Sequence, residues 1–470
     1  DDVESRGLGD VYKRQMVKGG VLFVTLQEFN SSKGDMSLDK ITSTDMGYIF
    51  EELIRKFSES YDEQAGAHFT SRDIIYLMTE LLIAPEKEQI AAEGCTKTAY
   101  DMAMGTSQML GCLTERLQDV SKDATLTCFG QEFNPETYAI AKADMLIKGG
   151  NASGMKYGDT LSDDAFGGYE FDYVISNPPF GIDWKREKSQ VEAEAKRGYD
   201  GRFGPGLPAI SDGQMLFMLN GVKKLKEGSG RMAIIQNGSS LFTGDAGSGA
   251  SEIRRYLIHE DLVEAIVQLP TDLFYNTGTS TYIWVLTKGK PMSRSGRVQL
   301  IDASKCFVKR RKNIGSKRVD LDDACIDLIL KAYEGFDQNE VYTADDLVVE
   351  SKVFENDFFG FTKVTVETAQ TDANGKPLLK KGKKLPVKGA TDSEIIPLSD
   401  DIDAYMAKNV LPYNPLAYID PAKDKIGYEI PFTRLFYKFE APEPSASIFE
   451  DIKALEAKET VLMKELFGNA

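Results

Sequence analysis

Apolar residues recur along this chain with two different periods, and the changes of period mark out its elements. Between Met36 and Ser60, Ile41, Ile49, Leu53, Ile54 and Phe57 fall at helical spacing, with Ser37 or Asp39 placed to cap the start. A second helix is predicted to open on Ser71 and to run through Ile74, Ile75, Leu77, Met78, Leu81 and Leu82. Short β-like runs come next, at 98–103, 125–130, 171–176, 232–236, 262–269, 281–287 and 298–301. Helical stretches separate several of them, at 108–120, 135–148, 213–226 and 250–259. This alternation predicts an α/β fold: a doubly wound, mostly parallel sheet with helices on both faces. Ligands of such sheets bind outside the carboxyl ends of the strands, so the residues just after each strand are candidates for chemistry.

Beyond about Ala303 the pattern dissolves. Residues 305–317 are basic (Lys305, Lys309, Arg310, Arg311, Lys312, Lys317). The polar stretch 363–390 holds Lys376, Lys380, Lys381, Lys383, Lys384 and Lys388 among Gly and Pro, and reads as an exposed loop or hairpin. Ser445–Gly468 reads as a helix in which Ile448, Ile452, Leu455, Leu462 and Leu466 keep a/d-like spacing, interrupted by Glu459. Packing back on its own domain and docking on a partner's helices are both open.

Composition narrows the class. A length of 470 residues predicts two or three domains. With 42% hydrophobic, 10% aromatic and 27% charged residues, a mainly disordered, collagenous or coiled-coil chain is excluded. No run approaches the roughly 18 apolar residues of a membrane helix, so a soluble chain is expected, without a membrane partner. Asp and Glu outnumber Lys and Arg by 73 to 56, a net charge of −17. A protein that held DNA alone through its phosphates would be basic, so any grip on nucleic acid must come from a local patch or a partner subunit. Five scattered cysteines without a CxxC pair, and only His68 and His259 as histidines, give no expectation of a metal site and point to a reducing cytoplasm. Residues 1–15 lack the apolar core of a signal peptide and fit poorly with the rest of the chain, so they read either as a leader ahead of a start at Met16 or as a non-native remnant.

The sharpest local signal is Phe171-Asp172-Tyr173-Val174-Ile175-Ser176-Asn177-Pro178-Pro179-Phe180, an apolar strand that runs into Asn-Pro-Pro-Phe. Two consecutive prolines remove two amide donors and stop the strand. The Asn177 amide and the Pro178 carbonyl remain at the sheet edge as stiff acceptors, with the Phe180 ring beside them. Acceptors plus an aromatic plane suit the exocyclic amino group of a flat ring, such as adenine taken out of a DNA stack. A proline-terminated strand with a core Phe is the plainer alternative. Tyr100-Asp101-Met102-Ala103-Met104-Gly105-Thr106-Ser107 ends the first strand and turns into a helix. There Asp101 can hold an ammonium group, and Gly105 lets a ligand approach the backbone. Glu132, at the end of the next strand, is placed to accept hydrogen bonds from ribose hydroxyls. A pyrophosphate site needs three glycines at the first turn and this one has a single glycine, which favours S-adenosylmethionine over NAD. Asp159 stands at the same edge, either for the adenine of that cofactor or for its own turn. His68-Phe69-Thr70 is either an ordinary cap or surface loop, or a segment that closes over the methionine end of the cofactor.

Taken together, these residues resemble the modification subunit of type I restriction–modification systems, in the amino-methylating branch of the DNA adenine methyltransferases. The resemblance is carried by Gly66-Ala67-His68-Phe69-Thr70-Ser71, Asp101-Met102-Ala103-Met104-Gly105-Thr106, Gly130-Gln131-Glu132-Phe133-Asn134-Pro135-Glu136-Thr137-Tyr138, Gly158-Asp159-Thr160-Leu161 and Asn177-Pro178-Pro179-Phe180. It continues through Gln236-Asn237-Gly238, Leu241-Phe242, Asp272-Leu273-Phe274-Tyr275-Asn276-Thr277-Gly278 and Lys425-Ile426-Gly427-Tyr428-Glu429-Ile430. It implies a Rossmann-like, seven-stranded class I methyltransferase domain over 66–305. A remnant of a helical amino-terminal domain at 16–65 would precede it, and a partly irregular, partly helical carboxyl-terminal extension at 306–470, ending in a partner-docking helix, would come after it. It further implies methyl transfer from S-adenosylmethionine to the N6 amino group of adenine in double-stranded DNA, in a prokaryotic cytoplasm. Asn177, Pro178 and Phe180 take the catalytic positions; His68, Phe69, Thr70, Asp101, Gly105, Thr106, Glu132 and Asp159 take the cofactor positions. The implied partners are a specificity subunit that reads the DNA site, a second modification subunit and, in some assemblies, a restriction nuclease subunit. Where the family often shows Asp-Pro-Ala-Cys-Gly-Thr-Gly-Gly, this chain has Met102, Met104, Ser107 and Gln108 at four of the eight places, and only a fragment precedes Gly66, as in a truncated chain. Those departures suit a second reading, a catalytically idle assembly component. A third is a protein-glutamine methyltransferase, whose substrate amide also matches Asn-Pro-Pro acceptors.

Overall fold

All seven runs read as strands from the alternation lie in one sheet. The computed structural model describes residues 16–31, 34, 40, 70–148, 150–275, 277–380, 382–439 and 444–468. The leader at 1–15, the helix predicted over 36–60, and His68 and Phe69 lie outside the described residues. The strands are β1 (Thr96–Asp101), β2 (Thr125–Glu132), β3 (Met155–Tyr157), β4 (Tyr173–Ser176), β5 (Arg231–Asn237), β6 (Val263–Gln268), β7 (Thr281–Thr287), β8 (Arg297–Lys305), β9 (Val308–Ile314), β10 (Lys317–Asp320), β11 (Asn339–Ala344) and β12 (Leu347–Glu355). Ten of them form a single sheet in the order β11-β12-β8-β6-β7-β5-β4-β1-β2-β3, and β9 and β10 form a separate hairpin. Strands β1 to β5 run parallel to their sheet neighbours among themselves, while β7 lies antiparallel between β5 and β6. The expected seven-stranded arrangement is therefore β3-β2-β1-β4-β5-β7-β6. The change to an extension expected at 306 does not end the sheet, because β12 pairs with β8 and β11 with β12.

The helices include α1 (Leu22–Phe29), α2 (Arg72–Ile83), α3 (Gln108–Val120), α4 (Pro135–Ile147), α5 (Gln214–Lys223), α6 (Gly249–His259) and α7 (Asp323–Gly335). Period-2 alternation sends Ala99, Tyr173, Ile175, Ile235, Val267, Ile283, Val285 and Ile301 to one face of the sheet, in one core with the apolar sides of α2, α3 and α7. On the opposite face α5 lies close against β5; a Cβ on Gly221 would stand 2.3 Å from the Met232 sulfur. At the amino-terminal end of β5 the buried Arg231 donates to Glu264, Tyr333 and the Leu82 carbonyl, joining β6, α7 and α2. Truncating one member would strand a buried charge, so this cluster anchors the edge opposite the strands' carboxyl ends.

Residues 363–390, expected as an exposed loop or hairpin, form hairpin strands, exposed throughout 371–380. A second sheet holds β13 (Gly360–Ala369), β16 (Pro386–Pro397), β17 (Ala417–Ile419) and β18 (Lys425–Tyr428), and the small hairpin β14 (Leu379–Lys380) and β15 (Lys383–Lys384) lies between the first two in sequence. Polar sequence forms strand here because only one face is buried, through Val364, Val366 and Ile396. Residues Pro431–Ala470 form a second compact unit, with α8 (Ser445–Phe467) as its long helix. The a/d-spaced residues Ile448, Ile452, Leu455, Leu462 and Leu466 of α8 are all exposed. Among the described residues no helix is long and apolar enough to cross a membrane.

Candidate active site

Because β1, β2, β3 and β4 point the same way, Asp101, Glu132, Tyr157 and Ser176 all end on one edge. The winding reverses between β1 and β4, which in open α/β sheets is where the ligand crevice opens. At that point Asp101 is 1% exposed, and its Oδ1 accepts from the Ser176 hydroxyl at 2.7 Å and the Ala103 amide at 3.1 Å. Burial pushes its carboxyl up to about 7, those two donors pull it back in part, and the nearby Glu132 charge adds to the rise.

The turn from Met102 to Ser107 is closed by backbone bonds. The Met104 amide donates to the Gln131 carbonyl, and the Ser107 amide to the Met104 carbonyl. The Gly105 amide donates to Glu132 Oε2 at 2.9 Å, while Glu132 Oε1 accepts from the Asn134 amide at 2.7 Å. Burial raises the Glu132 carboxyl above its ordinary range, and the Asn134, Gly105 and Phe133 amides oppose that rise. Each oxygen keeps a lone pair beyond these bonds. Gly105 has φ +53°, and among the described residues a Cβ built on it meets nothing within 4 Å, so they leave the space above the turn beside Thr106 open. Asp159, after β3, accepts from the Leu161 and Ser162 amides through Oδ1, so it does shape its own turn. Its carboxylate also meets Glu187, whose carboxyl is raised first by burial and then by Asp159.

Asn177 comes directly after β4 and is 8% exposed. It donates through Nδ2 to the Thr70 hydroxyl at 2.9 Å, and its Oδ1 is buried with no partner among the described residues. Pro178 is buried; Phe180 is half-buried and packs against the core. The backbone past Phe180 is held by Asp212, which accepts from the Gly181 amide at 3.3 Å and from Gln214 Nε2 at 2.7 Å. Gln214 Nε2 also reaches Asn237 Oδ1 at the end of β5.

The sequence-predicted residues Asp101, Gly105, Thr106, Glu132, Asp159, Asn177, Pro178 and Phe180 thus gather along one edge. Thr70 joins them, with its hydroxyl on Asn177. Ser71 occupies the cap position of α2 but makes no side-chain capping bond; its hydroxyl accepts from Lys317 Nζ at 3.1 Å instead. Lys317, expected within a basic run, is 1% exposed and also donates to Asp73 and the Leu273 carbonyl. Sequence reasoning missed Ser176, Glu187, Asp212, Gln214 and Lys317. For Ser176 a usable signal existed: a small hydroxyl at the last strand position, directly before Asn177.

Residues 42–374 match the N-6 DNA Methylase family. The type I restriction enzyme HindI methylase subunit of Haemophilus influenzae is 26% identical over 372 residues, 78% of this chain and 77% of that protein. The MjaIX methylase subunit of Methanocaldococcus jannaschii is 27% identical over 271 residues, 57% of this chain; the matched stretch spans 46% of that relative's length. A type I restriction–modification methyltransferase subunit from Streptococcus thermophilus superposes with a TM-score of 0.55 at 26% identity, over 69% of this chain and 63% of that one. With more than half of its length in that match, this chain belongs to the N-6 DNA methylase family.

Proposed function

We propose that the chain transfers a methyl group from S-adenosylmethionine to the N6 amino group of adenine in DNA, as the modification subunit of a type I restriction–modification complex. The observation that carries the reading is the buried Oδ1 of Asn177, without a partner among the described residues and fixed in orientation by the Thr70 hydroxyl. A buried acceptor left unsatisfied costs about 1–3 kcal/mol, and an exocyclic amino group is a donor that relieves it. The donor set fits the cofactor. Asp101 offers a carboxylate to an ammonium group, Glu132 has spare lone pairs for ribose hydroxyls, Asp159 stands by the adenine end, and the open Gly105–Thr106 turn leaves room. The His68–Thr70 loop would close the methionine end. When bound, S-adenosylmethionine supplies an electrophilic methyl group on a cationic sulfur.

The chain's own residues do the rest by position and charge. Asn177 Oδ1 and the Pro178 carbonyl accept the amino hydrogens of an adenine turned out of the duplex, which aims the nitrogen lone pair and stabilises the positive charge that develops there. Phe180 offers the exposed part of its ring to the base. The same reading implies the partners: a specificity subunit, a second copy of this chain and, in some assemblies, a nuclease subunit. The test is Asn177→Ala, assayed with a specificity subunit and adenine-containing duplex. Methyl transfer is expected to vanish while S-adenosylmethionine binding persists; near-normal turnover would sink the assigned role.

A further inference from the structure

The acidic charge of the chain leaves one question open within the proposed function: which surface holds the phosphates while a base is turned into the site. We propose that the β9–β10 hairpin is a phosphodiester-binding surface that grips duplex DNA beside the crevice. The inference rests on DNA being the substrate. Residues 305–320 contain seven cations, Lys305, Lys309, Arg310, Arg311, Lys312, Lys317 and Arg318, and one carboxylate, Asp320, in a chain of net charge −17.

These seven divide by role. Lys317 is the buried root: it donates to Ser71, Asp73 and the Leu273 carbonyl and stands 3.2 Å from Asp320. Arg310 is paired across the hairpin with Asp320. That leaves Lys305, Lys309, Arg311, Lys312 and Arg318, all exposed, with no carboxylate within ion-pair distance among the described residues. Unpaired surface cations are ordinary on a basic protein. Here they concentrate on a segment whose root is built into the site, because Ser71 is the neighbour of Thr70, the residue that holds Asn177. Further backbone bonds fix the placement: the Ser316 amide donates to the Tyr275 carbonyl, and the Arg318 amide to the Asp272 carbonyl. The hairpin is thus tethered by its root beside Thr70, which holds Asn177, and its free charges are the complement of a phosphate backbone. The lysines of 376–388 are equally basic but sit by the second sheet, without such a tether to the site.

The experiment is fluorescence anisotropy of the full chain with a labelled short duplex, between about 50 and 200 mM NaCl. The variants are Lys309→Ala/Arg311→Ala/Lys312→Ala and, as a charge-matched control, Lys376→Ala/Lys380→Ala/Lys388→Ala. All six side chains are exposed, so both variants are expected to melt with the wild type. The slope of log affinity against log salt is expected to become shallower by about 0.9 for each phosphate that the hairpin variant no longer neutralises, and to stay unchanged in the control. An unchanged slope in the hairpin variant, equal reductions in both variants, or no wild-type association at low salt overturns the inference. Methyl transfer and duplex binding are scored separately. A hairpin-dependent grip without methyl transfer defeats the proposed function alone, and full methyl transfer with an unchanged slope defeats the hairpin alone.

Discussion

On the proposed reading of the site, Asp101 should make cofactor binding depend on pH in a direction fixed by its surroundings. Its carboxyl is buried between β1 and β4, bonded to Ser176 and Ala103, and pushed up to about 7. A carboxyl with a raised value is neutral below it and ionised above it. An ammonium group is held by the ionised form, so only that fraction of the free chain is ready to bind. The ionised fraction is about one tenth at pH 6 and about nine tenths at pH 8, so affinity for S-adenosylmethionine should rise several-fold, up to about tenfold, over that interval. It should fall again at higher pH, where the ammonium group, with an ordinary value of about 8, loses its own proton. Binding near pH 7 should release about half a proton. Calorimetric titration in two buffers of different ionisation enthalpy measures both quantities. Asp101→Asn should bind more weakly and lose the pH dependence. Affinity that is flat or falls from about pH 6 to 8 in the wild type, or net proton uptake, would refute an ionisable Asp101 facing a cation.

Three further outcomes are expected from the same interactions. Thr70→Ser should keep methyl transfer near normal, whereas Thr70→Val should slow it about 5- to 150-fold with little change in cofactor affinity, since one buried hydrogen bond contributes about 1–3 kcal/mol; a larger effect on cofactor affinity than on turnover would assign Thr70 to the cofactor instead. Lys317→Met leaves Asp73 without its cation and should destabilise the chain by about 3–5 kcal/mol in urea unfolding, with a loss below about 1 kcal/mol counting against a structural root. Ser107→Gly should stabilise by about 0.5–1 kcal/mol. Ser107 sits at φ +69° and caps nothing, so relief of about 1–2 kcal/mol of left-handed strain outweighs glycine's extra freedom in the unfolded chain together with the loss of the weak Ser107 hydroxyl bond to the Met155 sulfur; a lowered melting temperature would contradict this.

What the sequence disclosed, and what it hid, divides by the range of the forces involved. Helix 108–120 and strand 281–287 appear with the predicted bounds, because period and apolar content are local properties. The residues after β1, β2, β3 and β4 were legible as one edge for the same reason: a parallel sheet aligns its carboxyl ends whatever lies between the strands. Strands β11 and β12 were not legible. They are antiparallel, β11 at the sheet edge and β12 between it and β8, with one face towards α7, and their mixed polar and apolar sequence carries too little alternation to distinguish them from loop. Thr70 and Asn177 are 107 positions apart, and Lys317 and Ser71 are 246 apart, so no spacing rule pairs them. A lysine in a basic run looks like surface until the fold supplies three acceptors for its three donors.

The departures at the first motif show how a turn can keep its shape while its residues change. Glycines elsewhere in the family would let such a turn bend freely; here the bend is held by amide bonds to Gln131, Glu132 and Met104. Ser107 adopts the left-handed conformation that a glycine would take without strain. Met104 fills space that Gly130 leaves open, since a Cβ there would stand 2.4 Å from the Met104 sulfur. The side chains therefore changed on the side that faces the core, while Asp101 and Gly105, which face the crevice, match the family's pattern. A turn altered in this way still holds the Asp101 carboxylate and the Gly105 backbone in place through buried side chains and backbone bonds, which supports the proposed cofactor site.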